Sequence, residues 1–322
     1  MFIFRLKMFL LIIVMFAIIY AFATMLSYSV FGIKNFNFYL VLSFVFLFIQ
    51  YMVGPKLVEW SMKIKYVEAS QYPELHRMVD ELARKANIPK PRVGISQIQL
   101  PNAFAFGRWR TDGRVCVTEG ILRLLSPDEL KAVMAHEISH LKNRDVLTIT
   151  LLSVIPLILY RIAWHLLFFR SFSRRRDSSY VMLIGLAAFI FYFITNLLVL
   201  YASRIREYFA DRGAVKLGSS PHHLATALYK LVYGSARMPK ESLREVEGLK
   251  AFFVNDPSRG LREVNELKDL DMDKSGTIDY DELMAIRTKK VKLNFGDKML
   301  ETLSTHPNML KRIKQLSKFR ED

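Results

Sequence analysis

The sequence predicts a mainly helical membrane protein of the α+β class, with four hydrophobic helices and a water-soluble part that carries a small antiparallel sheet near residues 91–118. Of the 322 residues, 52% are hydrophobic, and they are concentrated in four long runs. Those runs cover residues 8–32, 38–55, 146–169 and 180–202. A helix needs about 20 apolar residues to cross a bilayer, so each run is long enough, or nearly so, to span.

The first two runs predict a membrane hairpin that forms a domain over residues 1–55. Arg5 and Lys7 precede the first run, an arrangement also found in secretory signal peptides. The apolar stretch is too long for a signal peptide, however, and a second run follows almost at once. We therefore expect an uncleaved anchor.

The last two runs predict a second hydrophobic hairpin over residues 146–202. Its first half contains Pro156, Arg161 and His165. We interpret the two basic side chains as reaching toward the membrane interface rather than as chemical groups.

The distribution of lysine and arginine predicts that the domain over residues 56–145 is cytosolic. Lys56, Lys63 and Lys65 follow the second run, and positively charged flanks favour the cytosolic side. The same topology puts a basic loop on the opposite side, with Arg170, Arg174, Arg175 and Arg176. The sequence therefore leaves open whether the second hairpin crosses fully.

Charge pattern and cysteine content count against a nucleic-acid-binding protein and against a fold stabilised by disulfides. The formal net charge is +16, but the basic residues flank apolar runs, and no zinc-finger pattern or RNA-binding aromatic signature is present. We therefore expect a lipid bilayer and no nucleic acid as partner. The single cysteine, Cys116, excludes an intrachain disulfide and is expected to be a buried thiol in a strand.

A well-defined helix start precedes the most informative motif. Ser126 is a good N-cap, Pro127 suits the first helical position, and Glu129 stands where a capping box needs it. The predicted helix carries the run His136-Glu-Ile-Ser-His140. Two histidines four residues apart on one helix face can bind a zinc ion, and Glu137 can then act as general base on a water molecule.

A third metal ligand is expected from beyond the second hairpin. About 33 residues lead from His140 to the tip of the hairpin, and about 34 lead back to Glu207, so equal helical rises return Glu207 to the level of His140. Asp211 lies four residues further on the same helix face. It is a candidate to accept the second N–H of a ligating histidine.

Several segments together resemble the HtpX family of membrane-integral zinc metallopeptidases. In order, these are the N-terminal pair of spans, Pro101–Gly107, the His136–His140 motif, the hydrophobic hairpin, Ser203–Asp211 and Ser304–Asn308. The resemblance implies a gluzincin-type site in a zincin-like domain, with His136, His140 and Glu207 on zinc and Glu137 as base and acid. It also implies ATP-independent cleavage of misfolded or damaged membrane proteins at the cytosolic face.

The resemblance implies two further site residues, Asn102 in substrate alignment and His306 near the reacting carbonyl. The residues themselves support the role of Asn102 in part. Segments 103–110 and 114–118 flank Asp112-Gly113, which predicts a hairpin whose exposed strand can pair with an extended peptide.

Residues 271–282 depart from the family plan and match the twelve-residue EF-hand calcium loop. The predicted calcium ligands are Asp271, Asp273, Ser275, Thr277, Asp279 and Glu282, and Gly276 makes the sharp turn. The insertion covers about residues 261–290 of the last domain, 203–322. EF-hands usually occur in pairs, so the loop either pairs with another chain, orders the insertion, or senses calcium.

The predicted function is a membrane-embedded zinc endopeptidase with one catalytic Zn²⁺ and a candidate Ca²⁺ site. Two alternatives stay open: a processing enzyme of the CAAX prenyl protease type, and a non-catalytic calcium-binding membrane adaptor. A structural zinc site is normally closed by four protein ligands. Three ligands and an intact Glu137 favour catalysis.

Overall fold

The computed structural model describes residues 36–164, 166–167, 178–238, 260–288 and 295–319. The first predicted span, the basic loop of the second hairpin and His165 lie outside the described residues. The chain divides into two compact units: Met1–Val53 with Leu147–Ser203, and Gly54–Val146 with Arg204–Asp322.

In chain order, the elements are α1 (Phe36–Ser61), β1 (Ile64–Tyr66), α2 (Pro73–Ala86), β2 (Arg92–Ser96), β3 (Ala103–Phe106), β4 (Arg114–Thr118), α3 (Glu119–Leu124), α4 (Pro127–Asn143), α5 (Asp145–Trp164), α6 (Ser178–Lys216), α7 (Pro221–Ala236), α8 (Gly260–Leu267), α9 (Tyr280–Thr288), α10 (Phe295–Thr302) and α11 (Met309–Leu316).

The described part of the first unit is apolar and helical. Buried aliphatic side chains of α5 and α6 form a core of their own, including Leu152, Leu159, Ile184 and Ala188. Within the described residues, Tyr180–Lys216 is the one helix that is long and apolar enough to cross a membrane. The mainly helical class is therefore confirmed, whereas the set of four spanning helices stays a prediction.

The sheet of the second unit is mixed, so the prediction of an antiparallel sheet was wrong in one strand pair. The strand order is β1-β2-β4-β3. β3 and β4 pair antiparallel as predicted, but β2 and β4 run parallel. The reason is that β3 reverses the chain between them, so β4 enters the sheet in the direction of β2. β1 joins antiparallel from outside the predicted segment.

The single cysteine, Cys116, is closely packed within this sheet. A Cβ atom on Gly94 would lie 2.8 Å from the Cys116 sulfur, so only glycine leaves room for the thiol. Cys116 is fully buried, and burial raises the pKa of its thiol. It is an inert packing group.

Helix α4 lies at the centre of the second unit. It packs against α2, α7, β3 and β4, and the side chains that it buries include Val133, Met134 and Ile138. The predicted start is present: Ser126 and Glu129 form a complete capping box, and Pro127 is at the first helical position. The helix ends because Arg144 adopts a left-handed conformation with φ 56°, and α5 begins at the next residue.

Candidate metal centre

The two histidines of α4 converge as their spacing predicts. His136 Nε2 lies 3.1 Å from His140 Nε2. His136 is 1% exposed and Glu137 is 4% exposed. The side chains of His136 and Glu137 are therefore almost fully buried, and the side chain of His140 is partly exposed.

Helix α6 brings Glu207 to the same point. One carboxylate oxygen of Glu207 lies 3.5 Å from His136 Nε2, and the other lies 3.5 Å from His140 Nε2. The candidate ligand atoms of the three residues all lie within 4.8 Å of one another. The structure thus brings together the three residues that the sequence proposes as metal ligands.

The outer nitrogen of each imidazole faces a carboxylate. His136 Nδ1 lies 2.9 Å from Asp211 Oδ1, and His140 Nδ1 lies 2.6 Å from Asp145 Oδ2. Asp211 was predicted in this role, whereas Asp145 was not. A neutral imidazole that donates from Nδ1 presents the lone pair of Nε2 on its other side.

This donor set fits a zinc ion. Two Nε2 lone pairs that face each other repel unless a proton or a metal ion lies between them. Tetrahedral zinc with bonds of about 2.0–2.1 Å requires ligand atoms about 3.3 Å apart. The separations of 3.1 Å and 3.5 Å bracket that value.

The electrostatics of the cluster also favour a cation. Burial alone would lower the pKa of His136, but Asp211 and Glu207 raise it to about 9. Burial and the neighbouring His136 lower the pKa of His140 to about 4. Burial raises the pKa of the Glu137 carboxyl. The carboxylates therefore stabilise positive charge beside His136, while His140 stays neutral and can donate its Nε2 lone pair to a metal ion.

Two buried arginines complete the surroundings, and neither was predicted from the sequence. Arg206 forms an ion pair with Asp145. Arg312 binds Asp211 and also lies 3.1 Å from Glu207 Oε2. Arg312 occupies the apolar stripe of α11, which Met309, Ile313 and Leu316 define. A charged residue at a core position is the signal that indicates a buried partner.

His306 lies in the loop between α10 and α11. Its Nδ1 lies 3.5 Å from Glu207 Oε1. Both ring nitrogens are buried without a hydrogen-bond partner. A buried polar group without a hydrogen-bond partner destabilises the fold, so a functional role is needed to explain why a histidine stands at this position.

Asn102 lies at the start of β3. The residue is fully buried, and its backbone N–H donates to Thr118 Oγ1 at 2.9 Å. The Thr118 N–H donates in turn to the Asn102 carbonyl. These bonds anchor the beginning of β3, which packs against α4.

Gly213 sets how closely α6 approaches α4. A Cβ atom there would lie 1.9 Å from Ser139 Oγ and 2.7 Å from Ser139 Cβ. Ser139 stands between the two histidines on α4. The close approach of these helices therefore depends on the absence of a side chain at position 213.

The predicted calcium loop brings three of its six ligands together. Candidate oxygen atoms of Asp271, Asp273 and Glu282 lie within 4.8 Å of one another. Asp271 and Glu282 are 8% and 4% exposed. Two other predicted ligands make side-chain hydrogen bonds within the loop: Ser275 Oγ with Thr277 Oγ1, and Asp279 Oδ1 with the Glu282 N–H. The group that Thr277 is expected to offer is its backbone carbonyl. Gly276 has φ 81°, as the sharp turn requires.

The loop is docked onto α7. Thr226 Oγ1 donates to the Ile278 carbonyl at 2.8 Å and accepts from the Ile278 N–H at 2.9 Å. Tyr229 donates to Asp271 Oδ2 at 3.1 Å. Ile278 holds the loop position that normally pairs with a second EF-hand, and here Thr226 satisfies its backbone.

Comparison with known proteins assigns the family. The family model described as peptidase family M48 matches residues 69–320. The chain belongs to peptidase family M48. A protease HtpX homolog of Methanothermobacter thermautotrophicus is 52% identical over 228 residues, covering 71% of this chain and 85% of the relative. Protease HtpX homolog 2 of Methanosarcina mazei is 34% identical over 280 residues, covering 86% and 83%.

A solved structure shares the fold. The crystal structure of Ste24p from S. mikatae matches with a TM-score of 0.52 at 17% identity. The match covers 93% of this chain and 62% of the Ste24p chain, so this chain spans less than two thirds of that protein. At this level of identity, the likeness concerns the fold.

M48 membership confirms the predicted HtpX resemblance and makes the chain a metalloprotease. Zinc is the metal of this family, and the structure offers it a His-His-Glu site. Together with the apolar helix Tyr180–Lys216, these findings support a membrane-associated metallopeptidase.

Proposed function

We propose that this M48 protein is a zinc-dependent endopeptidase in which His136, His140 and Glu207 hold the metal. The observation that carries the proposal is the convergence of both Nε2 atoms on the two oxygens of Glu207. Asp211 and Asp145 lie 2.9 and 2.6 Å from the Nδ1 atoms of His136 and His140. A bound zinc ion would acidify a water molecule and polarise the peptide carbonyl.

Glu137 is proposed as the general base and acid. It follows His136 on α4 and is almost fully buried. Burial raises the pKa of its carboxyl, which brings it closer to the value that suits proton transfer near neutral pH. Glu137 would take the proton from the attacking water and deliver it to the leaving amine.

We assign His306 to the reacting carbonyl oxygen. Its unsatisfied ring nitrogens are the observation that favours this role. His306→Leu is expected to lower kcat/KM by about 10²–10³-fold, the usual effect of removing one oxyanion donor. Zinc content should be unchanged, because His306 is not among the three residues that converge on the metal position. A fall in the midpoint without a loss of kcat/KM would show that the residue is structural.

The peptide is proposed to bind as an added strand beside β3. In the sheet of the described residues, β3 has β4 as its only paired neighbour, and β3 packs against the helix that carries the metal motif. Asn102 precedes this strand and would align the substrate. Main-chain hydrogen bonds of this kind tolerate many side chains, which suits a protease of broad specificity.

The proposed substrates are misfolded or damaged membrane proteins, cleaved at the cytosolic face of a multi-pass enzyme. Lysines after the second predicted span favour this orientation. The full-length protein in detergent should cleave an unfolded membrane protein with zinc, lose activity in chelator, and regain it with zinc. Cleavage of a prenylated CAAX peptide alone would favour the processing enzyme instead.

We further propose that residues 271–282 bind one calcium ion. The favouring observation is the cluster of Asp271, Asp273 and Glu282, two of which are buried carboxylates. Because Thr226 already satisfies the backbone of Ile278, the loop needs no second EF-hand. Calcium would then order the insertion on α7.

Millimolar calcium is expected to raise the thermal midpoint of the wild type, because a ligand that binds the folded state alone stabilises it. Glu282→Gln should remove this response. Asp269→Asn, a change at an exposed acid just outside the loop, should keep it. An unchanged midpoint in the wild type, with no binding heat by titration calorimetry, would exclude the calcium site.

A further inference from the structure

Arg312 is a fully buried charge beside the metal centre. The side chain is fully inaccessible to solvent. Its Nε and Nη2 donate to the two oxygens of Asp211 at 3.0 and 2.6 Å. Its Nη1 lies 3.1 Å from Glu207 Oε2. One guanidinium therefore joins both carboxylates that α6 presents to the site.

Stability alone does not account for an arginine at this position. Removing a guanidinium from water is costly, and an apolar side chain of similar volume often serves a core as well or better. The neighbouring stripe of α11 consists of such side chains, Met309, Ile313 and Leu316. The contacts of the guanidinium with Asp211 and Glu207 explain a charge at this position better.

The contacts describe how Arg312 acts on the site. Asp211 Oδ1 accepts a hydrogen bond from Arg312 Nη2 and also faces His136 Nδ1. Glu207 Oε2 faces Arg312 Nη1 and also His136 Nε2. The planar fork thereby sets the rotation of both carboxylates, and through Asp211 it sets the orientation of the His136 ring.

We propose that Arg312 is a positioning residue that orients Glu207 and, through Asp211, His136 for metal binding. The inference rests on the proposed zinc site and extends it to α11, whose Arg312 stands 101 positions after Asp211 in the chain. Lysine cannot replace the fork, because an ammonium group is a point charge without planar bidentate geometry. A positive charge at position 312 is therefore not enough to orient the two carboxylates.

The test compares zinc affinity in full-length protein in detergent, measured by competition with a chromophoric chelator. Arg312→Lys keeps the charge and loses the fork. Its zinc dissociation constant is expected to rise about 10–100-fold, the usual effect of losing a partner behind a metal ligand. The visible spectrum of the cobalt(II) form should change as well, because it reports the ligand arrangement.

Arg114→Lys is the matched control. Arg114 is also a buried arginine, 4% exposed and paired with Asp112 and Glu59, but it belongs to the sheet. Both variants should lower the thermal midpoint, and only Arg312→Lys should weaken zinc binding. Should Arg312→Lys fail to fold, Arg312→Gln is measured by the same criteria.

A wild-type zinc affinity and cobalt spectrum in the Arg312 variant would overturn the positioning role, provided that His140→Ala abolishes binding. Retention of zinc by His140→Ala, or no zinc in the wild type, would instead refute the proposed metal site and this inference with it.

Discussion

Glu137→Gln is expected to lower kcat/KM by about 10³-fold or more while one zinc per chain is retained. Glutamine has the shape of glutamate but cannot accept the proton of the attacking water, and proton transfer by a positioned side chain contributes about 10²–10⁴-fold. Glu137 is not among the three ligands that converge on the metal position. The measurement is cleavage of an unfolded membrane protein together with zinc analysis of the same sample.

The thermal midpoint adds a second readout to this experiment. Glu137 is 4% exposed, and burial disfavours its charged form. Neutral glutamine avoids that cost, so in the zinc-free state the variant should melt at or above the wild-type temperature. Asp128→Asn, an exposed change on the same helix, should keep full activity. Undiminished cleavage by Glu137→Gln would refute its role as base.

Gly213→Ala is expected to destabilise the protein by about 1–3 kcal/mol, the usual cost of overpacking a close contact. The added Cβ would lie 1.9 Å from Ser139 Oγ, so α6 and α4 must separate. This separation moves Glu207 away from the two histidines, and we expect zinc affinity to fall together with the thermal midpoint.

Two further variants test that explanation. Ser139→Gly removes the atoms that the new methyl group would meet, so the double variant should recover zinc affinity, although glycine in a helix costs about 1 kcal/mol. Gly54→Ala is the matched control, because a Cβ at that position meets nothing within 4 Å. Equal destabilisation by Gly54→Ala and Gly213→Ala would contradict the steric account.

The local features of the site could be predicted from the sequence, because their determinants lie within one helix. Ser126, Pro127 and Glu129 define the start of α4, and the spacing of His136 and His140 places both rings on one face. Each depends on residues no more than four positions apart. The approach of Glu207 also followed from the sequence, since a hairpin of equal arms returns the chain to its starting level.

Most of the features that were missed depend on contacts between distant segments; the exception is Asp145, which lies only five positions after His140. Asp211 and Arg312 are 101 positions apart; the place of Arg312 on the apolar stripe of α11 indicates burial, but nothing in residues 308–320 identifies its partner. The parallel pairing of β2 with β4 likewise depends on the order in which strands join the sheet. Strand pattern alone does not determine that order.

The most direct test of the central claim is the zinc content of Glu207→Ala, measured on folded full-length protein beside the wild type. Glu207 is the ligand that joins α6 to the histidine helix, and its oxygens lie 3.5 Å from both Nε2 atoms. We predict one zinc per chain in the wild type and loss of zinc and cleavage in the variant. A folded Glu207→Ala that retained stoichiometric zinc and wild-type cleavage would contradict the proposed site.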